Sequence, residues 1–248
     1  MNSGGLAVVL AAGKGTRMKA DRPKVLFEVL GAPLVSYVID ALEQTGVERV
    51  VVVVGYQAER VREALAGRSN LEFALQDQQL GTGHAVMVCR EQLKSHEGPV
   101  LILAGDSPLV QPASLRALFE EYGRSRPACI LGTLHKQDPR GLGRIVRDAA
   151  GQFVGIVEEK DATDEQRAIT EVNMSTYLFD GPQLLHALEH LRDDNQQREY
   201  YLTDCPGILK GEGKDVRALP VLQACEALSV NTVDELQVVE AEMRKLGY

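Results

Sequence analysis

LAVVLAAGKGTRM, residues 6–18, sets an uninterrupted apolar run directly against a turn that holds two glycines, two basic residues and a threonine. A near-continuous apolar run of this kind reads as a strand covered on both faces. The glycine turn at its carboxyl end is a common place to hold phosphate. It matches neither of the two best-known phosphate loops: a Walker loop needs GxxxxGK[ST], and a dinucleotide fingerprint needs a third glycine where this chain has Met18. What remains is a GxGTR turn in which backbone N–H groups and Arg17 surround a polyphosphate, with Lys24 arriving after Pro23. A plain strand-to-helix turn with solvated charges fits the same residues.

The rhythm set by the first strand continues. Further strands are expected at 49–55, 71–76, 99–105 and 128–135, with helices near 33–45, 57–66, 82–93 and 112–123. Alternation of this kind predicts a doubly wound α/β fold with a mostly parallel sheet, whose ligands bind outside the carboxyl ends of the strands. The second half departs from it. Residues 144–148 and 152–158, split by AAG, read as a β-hairpin, and 171–179 as a further strand. A helix near 182–192, the stretch REYYLTD, a short helix, a strand at 216–222 and a closing helix from Val233 follow. No low-complexity linker interrupts the chain, so one domain is expected. Its first, strand–helix half covers roughly 1–135, a lobe supplying the other wall of a cleft roughly 136–230, and the closing helix 232–248.

Length suits the same reading, since 248 residues bury the core of one large α/β domain. A net charge of -8 speaks against a broad basic surface for nucleic acid or anionic membrane. Between Gly13 and Lys24, however, five basic residues stand against Asp21 alone. The four cysteines, Cys89, Cys129, Cys205 and Cys225, have no CxxC spacing and are expected as buried apolar residues. No run is long enough to span a bilayer, and MNSGG lacks the basic and apolar segments of a secretory signal, so a cytoplasmic location is expected.

Four later stretches carry chemistry. In QDQQLGTGHA (76–85) the Gln76 amide can both donate to and accept from a base edge, and Gly81, Thr82 and Gly83 permit close backbone approach to a ligand. A helix entry capped by Thr82 is the alternative, with His84 in packing or capping. In LAGDSPLV (103–110) Asp106 stands where a hard cation meets nucleotide phosphates, or where it caps a turn. In SVNTVDEL (229–236) Thr232 and Glu235 have capping-box spacing, which spares Asn231 as a metal ligand unless Asn231 is itself the cap. The lobe offers GLGRI, VEEK, EVN and EYYLTD, whose carboxylate, amide, hydroxyl and glycine groups suit a hydroxyl-rich sugar. Each is equally a turn or surface feature. Along a strand, Glu158 and Glu159 point to opposite faces.

In order along the chain, LAAGKGTRM with PKVL, LQDQQLGTGHA, GDSPL, DPRGLGRIV, GIVEEKDATDEQR, EVN, EYYLTD and VNTVDEL resemble the nucleotidyltransferase family that makes nucleotide sugars. The resemblance is greatest to the uridyltransferase domain of bacterial bifunctional enzymes that join N-acetylglucosamine-1-phosphate uridyltransferase to glucosamine-1-phosphate acetyltransferase. It covers almost the whole chain. It implies a Rossmann-like nucleotidyltransferase fold and Mg²⁺-dependent transfer of UMP from UTP to a sugar 1-phosphate, N-acetylglucosamine 1-phosphate first of all. Leu10, Ala12, Gly13, Lys14, Gly15, Thr16, Arg17 and Lys24 would hold the nucleotide, with Gln76, Gly81 and Thr82 reading uracil. Asp106 and Asn231 would bind Mg²⁺, while Gly143, Glu158, Asn173, Tyr201 and Thr203 would line the sugar site. Arg17, Lys24 and Asp106 would be catalytic, by positioning and charge neutralisation rather than through a covalent intermediate.

Two departures from the family pattern bear on these expectations. The sequence stops at Tyr248 with no hexapeptide repeats, so no acetyl-CoA chemistry is expected. Ala104 replaces a tyrosine often seen before the GD pair, and Met174-Ser175 stand where the pattern has threonine and glycine. Both lie near the sugar site and leave another sugar phosphate or another nucleotide open. A noncatalytic nucleotide-sugar binder is the reading from a different class, which the joint presence of Lys24, Asp106 and Asn231 disfavours.

Overall fold

The opening run forms strand β1 (Leu6–Ala11), and its side chains divide by parity between two cores. Leu6 and Val8 join one apolar cluster, Ala7, Val9 and Ala11 the other, which is why no polar residue interrupts the run. The structure is a computed structural model that describes residues 4–18 and 20–248. The start of MNSGG (1–3) and Lys19 of the basic stretch lie outside the described residues.

Ten further strands follow in chain order: β2 (Glu28–Val29), β3 (Ala32–Pro33), β4 (Arg49–Val54), β5 (Leu71–Leu75) and β6 (Pro99–Ala104), then β7 (Cys129–His135), β8 (Arg144–Arg147), β9 (Phe153–Val157), β10 (Glu171–Asp180) and β11 (Val216–Leu219). The main sheet runs β11-β7-β10-β6-β1-β4-β5. β6, β1, β4 and β5 are parallel, as are β7 and β11, and β10 lies antiparallel between β6 and β7. The expected β8–β9 hairpin forms, and it extends from β10. The fold is thus a mostly parallel, mixed sheet of Rossmann-like type.

Helices cover both faces. On one lie α1 (Leu34–Thr45), α2 (Ala58–Ala64) and α5 (Pro112–Ser125), inserting Val38, Ile39, Val61, Leu115 and Leu118. On the other lie α3 (Thr82–Met87), α4 (Arg90–Lys94), α7 (Gly181–Glu189) and α8 (Cys205–Gly211), inserting Val86, Leu93, Leu184 and Leu209. The short α6 (Asp164–Arg167) follows the hairpin, and the closing helix α9 (Val233–Leu246) packs Val239 and Met243 on Met18, Val29 and Leu34. All four cysteines are free and buried, and burial pushes the Cys89 thiol up to about 12. No described helix is long and apolar enough to cross a membrane.

Several element boundaries differ from expectation. The helix expected over 82–93 breaks between α3 and α4, where Cys89 leaves helical geometry with no glycine or proline to announce it. The β2–β3 hairpin and α6 were not foreseen; Leu30 and Gly31 turn that hairpin with positive φ values of 50° and 87°. β11 stops at Leu219, because Pro220 has no N–H to continue a ladder. The strands β1, β4, β5 and β6 each end one residue short of expectation, and the released residues Ala12, Gly55, Gln76 and Gly105 begin the turns of one crevice.

Candidate active site

The turns at the carboxyl ends of the parallel strands are stitched together by their own backbone. Gly105 N–H donates to the Leu10 carbonyl at 2.9 Å and Tyr56 N–H to the Ala12 carbonyl at 3.1 Å. Gly15 has φ +66°, and a Cβ on it would lie 2.6 Å from the Lys24 Cβ. The glycine is therefore needed twice, for its left-handed backbone and for the passage of Lys24 across it. Gly13 meets nothing within 4 Å and is exposed towards the crevice. Thr16–Met18 closes as a single 3-10 turn, held by Met18 N–H on the Gly15 carbonyl at 2.9 Å, which leaves Lys14, Thr16 and Arg17 exposed.

Lys24 follows Pro23 and opens another 3-10 turn. Its ammonium forms an ion pair with Asp106, and its Nζ also donates to Asn231 Oδ1 at 2.9 Å. Arg17 donates to the same Asn231 oxygen at 2.8 Å. Residues 207 positions apart in the chain thus meet on one group, and Val230 N–H on the Asp106 carbonyl at 3.2 Å fixes the approach. Thr232, not Asn231, caps α9: its hydroxyl accepts from Glu235 N–H, and the Glu235 carboxylate accepts from the N–H groups of both Thr232 and Asn231. The Asn231 amide is free to face the crevice.

A carboxylate oxygen and an amide oxygen that converge on one ammonium are a hard donor pair. Such a pair suits Mg²⁺, whose remaining positions are filled by water and phosphate. The residues present fit the ion, with Lys24 holding the two oxygen donors together.

The other cations of the basic stretch are more engaged than the sequence suggests. Lys14 Nζ lies 5.0 Å from the centre of the Tyr56 ring, a cation–π contact. Arg22 is paired with Glu28 at 2.8 Å. Asp21 is bound by the Tyr56 hydroxyl and by Gln57 Nε2 at 3.0 Å, and its carbonyl by Arg60 at 3.0 Å, so the β4–α2 turn pins the loop. The local excess of positive charge counted along the sequence is reduced by partners from elsewhere in the chain. Tyr56 and Asp21 were missed, since nothing local marks a tyrosine after a strand as a loop anchor.

Gln76, only 3% exposed, turns its amide inward: Nε2 donates to the Gly81 carbonyl at 3.0 Å and meets His84 Nδ1 at 3.1 Å. His84 thus packs beside the helix start with Gln76 as its partner, and the Gln76 Oε1 is the end left for a ligand. The glycines of this stretch are spent on the chain itself. A Cβ at Gly81 would lie 2.5 Å from the Tyr200 carbonyl, and one at Gly83 2.6 Å from Leu191 Cδ1. Gly83 N–H donates to the Tyr200 carbonyl at 2.7 Å, Tyr200 N–H to the Leu80 carbonyl at 2.8 Å, and the Thr82 hydroxyl accepts from Leu202 N–H at 3.1 Å. Gly81, not Thr82, is the residue at the helix cap.

On the lobe, Asn173 N–H donates to the Gly143 carbonyl at 2.9 Å, and a Cβ on Gly143 would lie 3.3 Å from Glu158 Oε1. Gly143, Glu158 and Asn173 are thus neighbours. Partial loss of solvent, then the charges of Asp161 and Asp204, push the Glu158 carboxyl above its ordinary range. Tyr201 faces the same acidic group and donates its hydroxyl to Gln197 at 2.7 Å, while Thr203 lies in the 3-10 turn Leu202–Asp204. The Asn173 amide has partners within the chain: it donates to the Tyr177 hydroxyl at 2.7 Å and accepts from Ser175 N–H at 3.3 Å. Asp204 belongs with this group and was missed.

Ala104 and Met174, two positions that depart from the family pattern, line a single cavity of about 10 Å³ with Ser107, Thr176 and Glu226, room for one water. Ser175 sits at a bulge of β10 with φ 55°, a backbone that favours glycine. Glu226, 6% exposed, accepts from Ser114 Oγ at 2.5 Å and from the N–H groups of Gln223 at 2.7 Å and Gln111 at 3.1 Å. Burial raises its carboxyl despite those bonds.

Comparison with known proteins matches residues 7–203 to the MobA-like NTP transferase domain. The chain is 43% identical over 237 residues to the bifunctional protein GlmU of Streptococcus equi subsp. zooepidemicus, covering 96% of this chain and 51% of that protein. It is 45% identical over 236 residues to that of Heliobacterium modesticaldum, covering 95% and 51%. Against that of Listeria monocytogenes it is 44% identical over 235 residues, covering 95% and 50%. The chain spans about half the length of the curated relatives it matches.

Proposed function

The chain belongs to the MobA-like NTP transferase family, and on that premise we propose that it transfers UMP from UTP to N-acetylglucosamine 1-phosphate, giving UDP-N-acetylglucosamine and pyrophosphate. Membership makes it a nucleotidyltransferase. The uridine and sugar assignments rest on the ordered motifs of the sequence. The observation that carries the reading is the meeting of Lys24 with Asp106 and Asn231 beside the glycine turn. A noncatalytic binder has no use for a cation, a carboxylate and an amide gathered where phosphates would react.

In this reading a phosphate oxygen of the sugar 1-phosphate attacks the α-phosphorus of UTP in line, the bond to the β-phosphate breaks, and pyrophosphate leaves. No serine or cysteine nucleophile takes part. Asp106 and Asn231 would hold Mg²⁺, which when bound supplies positive charge to the phosphate oxygens. Arg17 and Lys24 exchange their contacts with Asn231 and Asp106 for phosphate oxygens, neutralising the leaving pyrophosphate. The Gln76 carbonyl oxygen accepts the uracil imide N–H, beside Gly81 and Thr82, while Gly143, Glu158, Tyr201 and Thr203 bind the sugar. Asn173 acts through Tyr177 and Ser175, by shaping the bulge. The site of reaction is the cytoplasm.

Pyrophosphate release measured over a matrix of UTP, dTTP, GTP and CTP with several sugar and polyol phosphates tests the assignment. Turnover highest for UTP with N-acetylglucosamine 1-phosphate, and dependent on Mg²⁺, is expected. Higher turnover with another pair would reassign the substrates, and tight UDP-sugar binding with no turnover on any pair would sink the catalytic reading.

A further inference from the structure

Outside the crevice, α7 and α8 bring two histidines and a carboxylate together. His186 and His190 are one helical turn apart at the carboxyl end of α7, with ring centres 4.4 Å apart. Glu212 ends α8, and both its carboxylate oxygens lie 2.9 Å from His186 Nε2. One ligand-capable atom from each of the three lies within 4.8 Å of the others, the only such trio among the described residues.

The tautomer of neutral His190 is set by the backbone one helical turn before it. His190 Nδ1 faces the His186 carbonyl at 2.8 Å; a carbonyl only accepts, so Nδ1 carries the proton and Nε2 keeps its lone pair. Histidines that bind metals are commonly oriented in this way, with the second nitrogen on a carbonyl or carboxylate. Beneath the trio, Leu184 and Leu188 of α7 share one core with Cys205 and Leu209 of α8, which fixes the spacing of the two helices.

We propose that His186, His190 and Glu212 form a binding site for a divalent transition-metal ion of the Zn²⁺ class, separate from the nucleotide crevice and clamping α7 to α8. Two imidazole nitrogens and one carboxylate oxygen, with water in the fourth position, form a tetrahedral zinc set. Mg²⁺ prefers oxygen alone and would not compete there. In a tetrahedral site with ordinary bond lengths the ligand atoms of a histidine and a carboxylate stand about 3.4 Å apart. The present 2.9 Å pair has to open only slightly as the ion takes the place of the shared proton. His186 and Glu212 have side chains 39% and 36% exposed, so an ion can reach them and they can adjust. Because α8 begins directly after the turn Leu202–Asp204, the clamp anchors the segment that carries Tyr201 and Thr203.

Titration of the full chain with Zn²⁺ in excess Mg²⁺, followed by calorimetry and by metal analysis after dialysis, tests the site. One Zn²⁺ per chain is expected, lost in His186→Ala/His190→Ala and weakened about tenfold or more in Glu212→Gln. Co²⁺ in place of Zn²⁺ should give the intense visible bands of a four-coordinate centre in the wild type only. Nucleotidyl transfer with Mg²⁺ alone should be equal in all three proteins. Absence of stoichiometric Zn²⁺ on the wild type, or equal binding by the double variant, would overturn the proposal.

Discussion

At the level of single residues, two glycines that look alike in the sequence have different work. Gly15 has a left-handed backbone and passes within contact of Lys24, whereas Gly13 faces open space. Gly15→Ala should therefore cost about 1–2 kcal/mol of stability from its backbone alone. It should also lower turnover, because the added methyl displaces Lys24. Gly13→Ala should stay within about 0.5 kcal/mol of the wild type in the same urea unfolding experiment. Lys24 should carry the larger functional effect. Lys24→Ala removes the cation between Asp106 and Asn231, and pyrophosphate release should fall about a hundredfold or more while circular dichroism stays unchanged. Ser175 shows the converse case: the chain keeps a glycine-like backbone at a position where it carries a serine.

Among elements, the β8–β9 hairpin is fastened to the main sheet by a buried charge. Glu171 of β10, 5% exposed, accepts from Arg147 of β8 at 2.7 Å and from Thr133 of β7 at 2.6 Å. Burial opposes its ionisation, but the hydrogen bonds from Arg147 and Thr133 outweigh it and hold the carboxyl below its ordinary range. The sign follows: the native state binds this proton less readily than the unfolded chain, so the contribution is complete above about pH 4.3 and is lost as pH falls through the native value. Glu171→Gln should cost about 2 kcal/mol at neutral pH. It should also flatten the fall in stability below about pH 4.3, read as urea midpoints of variant and wild type. These ties could not be read from the sequence, where RIVRD and EVN give the strands but not which charge meets which. The break between α3 and α4 was hidden for a similar reason, because HAVMVCREQL contains no local breaker.

Over the whole molecule, what was legible followed from short-range pattern. Apolar runs gave the parallel strands, and turn residues at their ends gave the crevice, because both depend on neighbours in the chain. The capping box gave Asn231 its freedom in the same way. Partnerships across the fold were not legible: Lys24 on Asn231, Tyr56 on Asp21, and the inward amides of Gln76 and Asn173 are set by tertiary packing. The glycines of QLGTGHA illustrate the difference, since their close contacts within the chain are with Tyr200 and Leu191, more than a hundred positions away. Gly83→Ala forces a methyl against Leu191 and the Tyr200 carbonyl and should cost about 1–3 kcal/mol. In the proposed reaction it should raise KM for nucleotide and sugar phosphate together, where a change confined to one subsite would raise one. The reason is mechanical. Leu80, Thr82 and Gly83 are laced to Tyr200 and Leu202, so the segment proposed to face the base and the segment proposed to face the sugar are tied into one unit. In the proposed reaction, whichever substrate arrived first would fix the shared rim, and the second would enter a gap whose width had already been chosen.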